Sequence, residues 1–173
     1  MMSQTMACLS TVLATCVALG GSVPPLKAIP EDFRVVAEYT PGSVSSAPWA
    51  ATPWNAWTLT ITADGRAIQE IELSRQERVR KSVTLSQPAL RRLVDAVEAS
   101  GFQLLAEKYS ADIFDSVTLV LGVTMNGRHH EVVVNAAHHL KDQSEVIAFL
   151  RLWNTIVETV PPPNPGQGVE KLD

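Results

Sequence analysis

Thiols are nearly absent from this chain. It has 2 cysteines in 173 residues, and both, Cys8 and Cys16, fall within the first twenty. The remainder forms no disulfide and offers no cysteine nucleophile or metal ligand. A basic excess is missing too: 14 Lys and Arg against 18 Asp and Glu leave a formal net charge of −4. That balance argues against a general affinity for nucleic acid, which needs a basic footprint. The one basic run, Arg75, Arg78, Arg80 and Lys81, is interrupted by Glu77 and reads as a charged strand edge that blocks sheet-to-sheet pairing. Motifs of established chemistry are lacking as well. There is no G-x-S-x-G elbow, phosphate loop, H-E-x-x-H pair or dinucleotide fingerprint. No cofactor is expected.

Charge is also missing from the first twenty residues, MMSQTMACLSTVLATCVALG. Met6 to Gly20 is an apolar stretch of signal-peptide length, shorter than the roughly 20 residues a membrane-spanning helix needs. Small residues at Ala18 and Gly20 predict cleavage after Gly20 and export of the rest. The same residues support a second reading. Leu13-Ala14-Thr15-Cys16 is similar to a lipobox, which would be cut before Cys16 and leave that cysteine carrying a lipid anchor. The expected organisation is a signal peptide over 1–20, a linker over 21–30, one domain over 31–160, and a proline- and glycine-rich tail without fixed structure over 161–173. A chain of this length buries roughly 70% of its unfolded surface, so it needs no metal or disulfide for stability.

What is present is periodicity. Phe33 to Thr40 reads as a first strand. Trp57-Thr-Leu-Thr-Ile-Thr alternates strictly, Asp64-Gly65 is a hairpin turn, and Ala67 to Ser74 is the return strand. Val79 to Leu85 reads as a further strand. Ser86 is a good N-cap for a helix with Pro88 in its first turn, an apolar stripe at Leu90, Leu93, Val94 and Val97, and Gly101 past its end. Val117 to Met125 and Arg128 to Asn135 flank Asn126-Gly127, a type I′ hairpin turn. A last helix is expected from near Asp142, with Glu145 completing a capping box and Phe149, Leu150, Trp153, Val157 and Val160 on its buried face. These elements define an α+β fold: an antiparallel sheet built from two β-hairpins plus additional strands, packed by two main helices.

Trp57-Thr-Leu-Thr-Ile followed by Asp64-Gly65 resembles the opening hairpin of small exported bacterial domains catalogued as having unknown function. The helix end Ser100-Gly101-Phe102, then Tyr109 and Asp115 ahead of the Asn-Gly-Arg hairpin, is similar to their second half. The likeness covers most of Phe33 to Val160 and rests on fold-bearing motifs. Many such domains carry cysteines before the first hairpin, where this chain has Thr52-Pro53-Trp54. The resemblance implies export and a compact α+β fold. It implies no activity.

All four histidines stand between residues 129 and 139. Alternation sets His130 on the core side with Val132 and Val134, and turns His129 to the other side with Glu131 and Asn135. Adjacent strand residues cannot chelate one ion from opposite faces. His138 and His139 fall in the loop before the last helix, and their reaching His129 requires the chain to double straight back. A transition-metal-binding or sensing module using His129, Glu131, His138 and His139 is one reading; hairpin and loop decoration is the other. Glu107, Asp112 and Asp115 match no calcium loop and read as caps.

The segment 41–57, PGSVSSAPWAATPWNAW, is the most suggestive binding surface. Loops of this length are uncommon in compact domains and often carry function. It holds Trp49 and Trp54, a residue type enriched at interface hot spots, while Trp57 belongs to the core face of the next strand. The expected function is an exported, non-enzymatic domain that binds a cell-envelope protein or a small ligand through this loop and the polar sheet face. Its expected binding residues are Trp49, Trp54, His129 and Glu131. Beside it stand the metal module and an enzyme of unrecognised type. No nucleic-acid partner is expected, and no membrane contact beyond the leader or a lipid anchor.

Overall fold

The computed structural model describes residues 28–42, 56–74, 77–162 and 170–172. Cys8 and Cys16 near the start of the chain, and Trp49 and Trp54 of segment 41–57, lie outside the described residues. So does Arg75. No helix among the described residues is long and apolar enough to cross a membrane.

The α+β architecture follows from two hairpins and the strand that joins them. Strands β1 (Arg34–Thr40), β2 (Ala56–Thr62), β3 (Arg66–Ser74) and β4 (Glu77–Thr84) form an antiparallel run. Helix α1 (Gln87–Ala99) leads to a 3-10 turn at Phe102–Leu104 and the short strand β5 (Lys108–Ser110). Then come β6 (Thr118–Met125), β7 (Arg128–Asn135), a 3-10 turn at Ala137–His139, helix α2 (Ser144–Thr159) and β8 (Glu170–Leu172). The eight strands lie in the order β5-β7-β6-β1-β2-β3-β4-β8, with β5–β7 parallel and every other pair antiparallel. β1 is therefore central, and its neighbours come from the two hairpins.

Alternation decides which face of this sheet is dry. In β2, Trp57, Leu59 and Ile61 are buried while the threonines between them stay half-exposed on the other side. Val35, Ala37, Leu121, Val123, Val132 and Val134 continue the dry face, and α1 and α2 cover it in a single hydrophobic core. Helix α1 obeys its sequence signals. Ser86 Oγ accepts from Ala89 N–H at 3.4 Å, Gly101 takes φ +66°, and all four predicted stripe residues are buried. Burial of each Leu or Val of that kind stabilises by about 1.5–3 kcal/mol. One core position on β3 is polar. Gln69 is 1% exposed, and its amide nitrogen donates to the carbonyls of Val160 and Pro161, both at 3.1 Å. It caps the end of α2 from across the core.

The hairpin turns are tight. Asn126 and Gly127 have φ of +54° and +73°, the pair of positive values a type I′ turn requires. At Gly65, φ is +83° and a Cβ would stand 2.9 Å from the Leu85 carbonyl oxygen, so only glycine fits.

Several expectations need correction. Helix α2 begins at Ser144 rather than near Asp142, and its N-cap Gln143 makes no side-chain cap bond. Residues 137–143 are consumed by the 3-10 turn and a following turn closed by Gln143 N–H to Leu140 O at 3.0 Å. Glu145 accepts instead from the Ser144 hydroxyl, at 2.8 Å. The helix buries Val146, Phe149, Leu152, Trp153 and Ile156, so the predicted face was rotated: Leu150 and Val157 are only half-buried. Residues 170–172, expected in a tail without fixed structure, pair with Arg78–Arg80 of β4. β4 is thus not a bare edge there, and Arg80 forms an ion pair with Glu70 on β3, its Nε donating at 3.1 Å.

Candidate functional site

A cavity of about 420 Å³ lies at the end of the sheet where β1 finishes and β2 and β6 begin. Its floor is one cross-strand row. Tyr39 of β1 pairs with Trp57 of β2 on one side and Leu119 of β6 on the other, and all three point to the dry face. Its wall is α2, which contributes Leu150, Trp153, Asn154 and Val157. The spacing i, i+3, i+4, i+7 puts these four on one stripe of the helix. Trp153 links wall and floor: it stacks on Phe149 with centroids 6.1 Å apart and meets Trp57 edge-on at 6.0 Å.

The rim is the segment between β7 and α2, with Ala137, His138 and Lys141, and Pro162 closes the far side. Ala136 enters the left-handed region at φ +55°, which starts the 3-10 turn. Within that turn His139 N–H donates to Ala136 O at 2.9 Å and Leu140 N–H to Ala137 O at 3.0 Å. His138 and His139 are exposed, with ring centroids 3.9 Å apart. Partial burial, and then the neighbouring His139, hold the His138 imidazole below its ordinary value. It is a neutral hydrogen-bonding group at pH 7.

One polar atom in the floor is unsatisfied. Trp57 is 3% exposed, and its indole N–H, shut off from water, has no hydrogen-bond partner among the described residues. Leaving a buried donor unmade costs about 1–3 kcal/mol.

The described residues singled out by sequence do not converge. His129 and Glu131 are exposed on the open face, over Gly122, where a Cβ would lie 3.4 Å from His129 Cε1 and 3.7 Å from Glu131 Oε2. His129 Nδ1 is 3.0 Å from Thr124 Oγ1. The cavity lies on the opposite face and at the other end of the strands. His138 and His139 belong to that far end, roughly 20 Å of strand beyond His129. His130 is half-buried as expected: its Nε2–H donates to Leu105 O at 3.0 Å and its ring meets Phe102 edge-on at 5.4 Å, which ties the 3-10 turn after α1 to the sheet. Among the described residues no group of three or more His, Cys, Asp or Glu side chains is placed to hold a metal ion. Glu107, Asp112 and Asp115 are exposed along the segment leading to β6.

Sequence reasoning missed the cavity because Tyr39, Leu119 and Lys141 carry no motif. The available signal was in α2, whose apolar residues from Val146 to Val160 span more of the helix than one core face needs. No protein-family model matches the chain, and no curated protein matches it either.

Proposed function

We propose that this domain is a binding module that holds a small, mainly apolar ligand between α2 and the Tyr39–Trp57–Leu119 row. The observation that carries the reading is the second apolar stripe of α2. Leu150 and Val157 pack against the margin of the core, yet each leaves part of its side chain uncovered over a cavity within the roughly 300–1,000 Å³ range of small-molecule sites. Two further features support it. The loop singled out in the sequence leaves and re-enters the sheet beside the cavity floor, after Thr40 and before Ala56. The described lining is mainly apolar, with Tyr39, His138, Lys141 and Asn154 as its few polar side chains, the pattern of a site that orients an apolar ligand. The charge-free leader supports delivery of the module outside the cytoplasm, either released or anchored at Cys16.

Titration with the neutral fluorophore N-phenyl-1-naphthylamine tests the reading. Saturable binding is expected, with emission rising as the probe leaves water and energy transfer from Trp57 and Trp153. Leu150→Gln and Val157→Gln should each weaken it at least tenfold while the unfolding midpoint moves by only a few degrees. Absence of saturable binding in the parent protein, or equal binding by both variants, would end the proposal.

A further inference from the structure

Resting on that reading, we infer that the ligand is a hydrocarbon-chain monocarboxylic acid, its carboxylate held at the Lys141–His138 rim and its chain lying along α2. Charge complementarity carries the argument. No described residue lining the cavity is acidic, whereas Lys141 and His138 stand together on the segment that closes it. Lys141 is exposed and makes no ion pair among the described residues. Its position is fixed by the hydrogen-bonded turns on either side of Leu140. An ammonium–carboxylate hydrogen bond at such a rim is roughly twice as strong as a neutral one. His138, held neutral, adds a ring N–H donor, and the Asn154 amide lies on the helix side of the same mouth.

The rest of the cavity selects for the chain. Tyr39, Leu150, Trp153 and Val157 present carbon, and the floor strands β1, β2 and β6 are each paired on both sides within the sheet. Among the described residues, no free strand edge faces the cavity. A peptide would leave its amides unpaired there, at a cost of about 1–3 kcal/mol for each by mutational measures. A fatty-acid-like molecule has all its polar atoms at one end. That distribution matches a basic rim above an apolar floor.

Displacement of N-phenyl-1-naphthylamine by hexanoate, octanoate, decanoate and decanol, each below its micelle-forming concentration, tests this directly. Affinity should climb about fourfold per added methylene, the ratio set by burying one CH2. Decanoate should bind at least tenfold tighter than decanol, and Lys141→Gln should remove that preference while leaving decanol unchanged. Equal binding of decanoate and decanol, or an unchanged preference in Lys141→Gln, would overturn the acid headgroup while leaving the apolar cavity standing. A short peptide ending in leucine that outcompetes decanoate would overturn the choice of ligand class. Failure of the fluorophore itself to bind would remove both this inference and the reading beneath it.

Discussion

The two ends of the sheet are finished in different ways. At the hairpin end the turns are short and their polar groups are matched. The Asp32 carboxylate accepts from Asn126 N–H at 2.9 Å and Gly127 N–H at 2.6 Å, so a residue ahead of β1 clasps the turn of a hairpin more than ninety positions later. Asp64 accepts from the Thr62 hydroxyl at 2.6 Å and Arg66 N–H at 3.1 Å. Leu85 N–H donates to the Gly65 carbonyl at 2.8 Å and ties the start of α1 to the first hairpin. At the cavity end the strands stop beneath aromatic rings, an indole N–H is left without a partner among the described residues, and two apolar side chains of α2 are only partly covered. Protein interiors rarely leave a buried donor unmade. The first end has its polar groups matched, and the second leaves a buried donor without a partner among the described residues and apolar surface partly uncovered.

Neighbouring residues of α2 give the largest test of that contrast. Phe149 is fully buried and Leu150 is not. Phe149→Ala should cost about 3–5 kcal/mol of unfolding free energy, the range for removing a core aromatic. Leu150→Ala should cost less, about 1.5–2 kcal/mol, because that side chain is only partly covered and loses only the transfer energy of its covered carbons. Urea midpoints measure both. Equal costs would mean that Leu150 is ordinary core and that the cavity wall is not spare surface.

Gly65→Ala probes the hairpin end with a smaller effect. The substitution forces a Cβ to 2.9 Å from the Leu85 carbonyl oxygen in a left-handed conformation, a strain worth about 1–3 kcal/mol. Gly127→Ala, also at positive φ but with nothing within 4 Å of its Cβ, should cost visibly less. If the two variants unfold at the same urea concentration, the Leu85 contact contributes nothing and the tightness attributed to this end is overstated.

These differences bear on what the sequence made legible. Both hairpins, helix α1 and the split between His129 and His130 follow from local rules: Asp-Gly and Asn-Gly turns, an N-cap serine with a C-terminal glycine, and the period of two. The start of α2 was misplaced because the left-handed Ala136 and the turn after it take up residues that would otherwise begin the helix. The three-residue strands β5 and β8 are too short to carry a periodic signal, and their pairing with β7 and β4 is decided by tertiary contacts. The Asp32 clasp and the Gln69 cap act across more than ninety residues, beyond any window of sequence. The cavity was hidden for the same reason: its row needs the register of three strands, and its wall needs the rotation of α2.

The two ends should also answer to pH in separate windows, and this is the smallest effect predicted. The Gly127 N–H above all, with that of Asn126, holds the Asp32 carboxyl below its ordinary value. A depressed carboxyl stabilises the fold above the unfolded value of about 3.9 and loses that contribution as pH falls through the lower folded value. Asp32→Asn should therefore be less stable than the parent at pH 6, with the gap narrowing as pH falls below about 4. Asp64 and Glu145 titrate in the same range, but they are common to both proteins and cancel in the difference. At the cavity end, burial and His139 depress His138. The unfolded imidazole, with a value near 6.5, protonates first as pH falls, so the fold loses stability from there down to the lower folded value and then levels off. Relative to His138→Gln, the parent should lose ground as pH falls through about 6.5 toward the lower folded value. Urea midpoints across pH 3 to 8 for the two pairs resolve the windows. A constant gap in the Asp32 pair would mean that the carboxylate charge is not what clasps the turn; a constant gap in the His138 pair would mean that the rim imidazole is as well solvated in the fold as outside it.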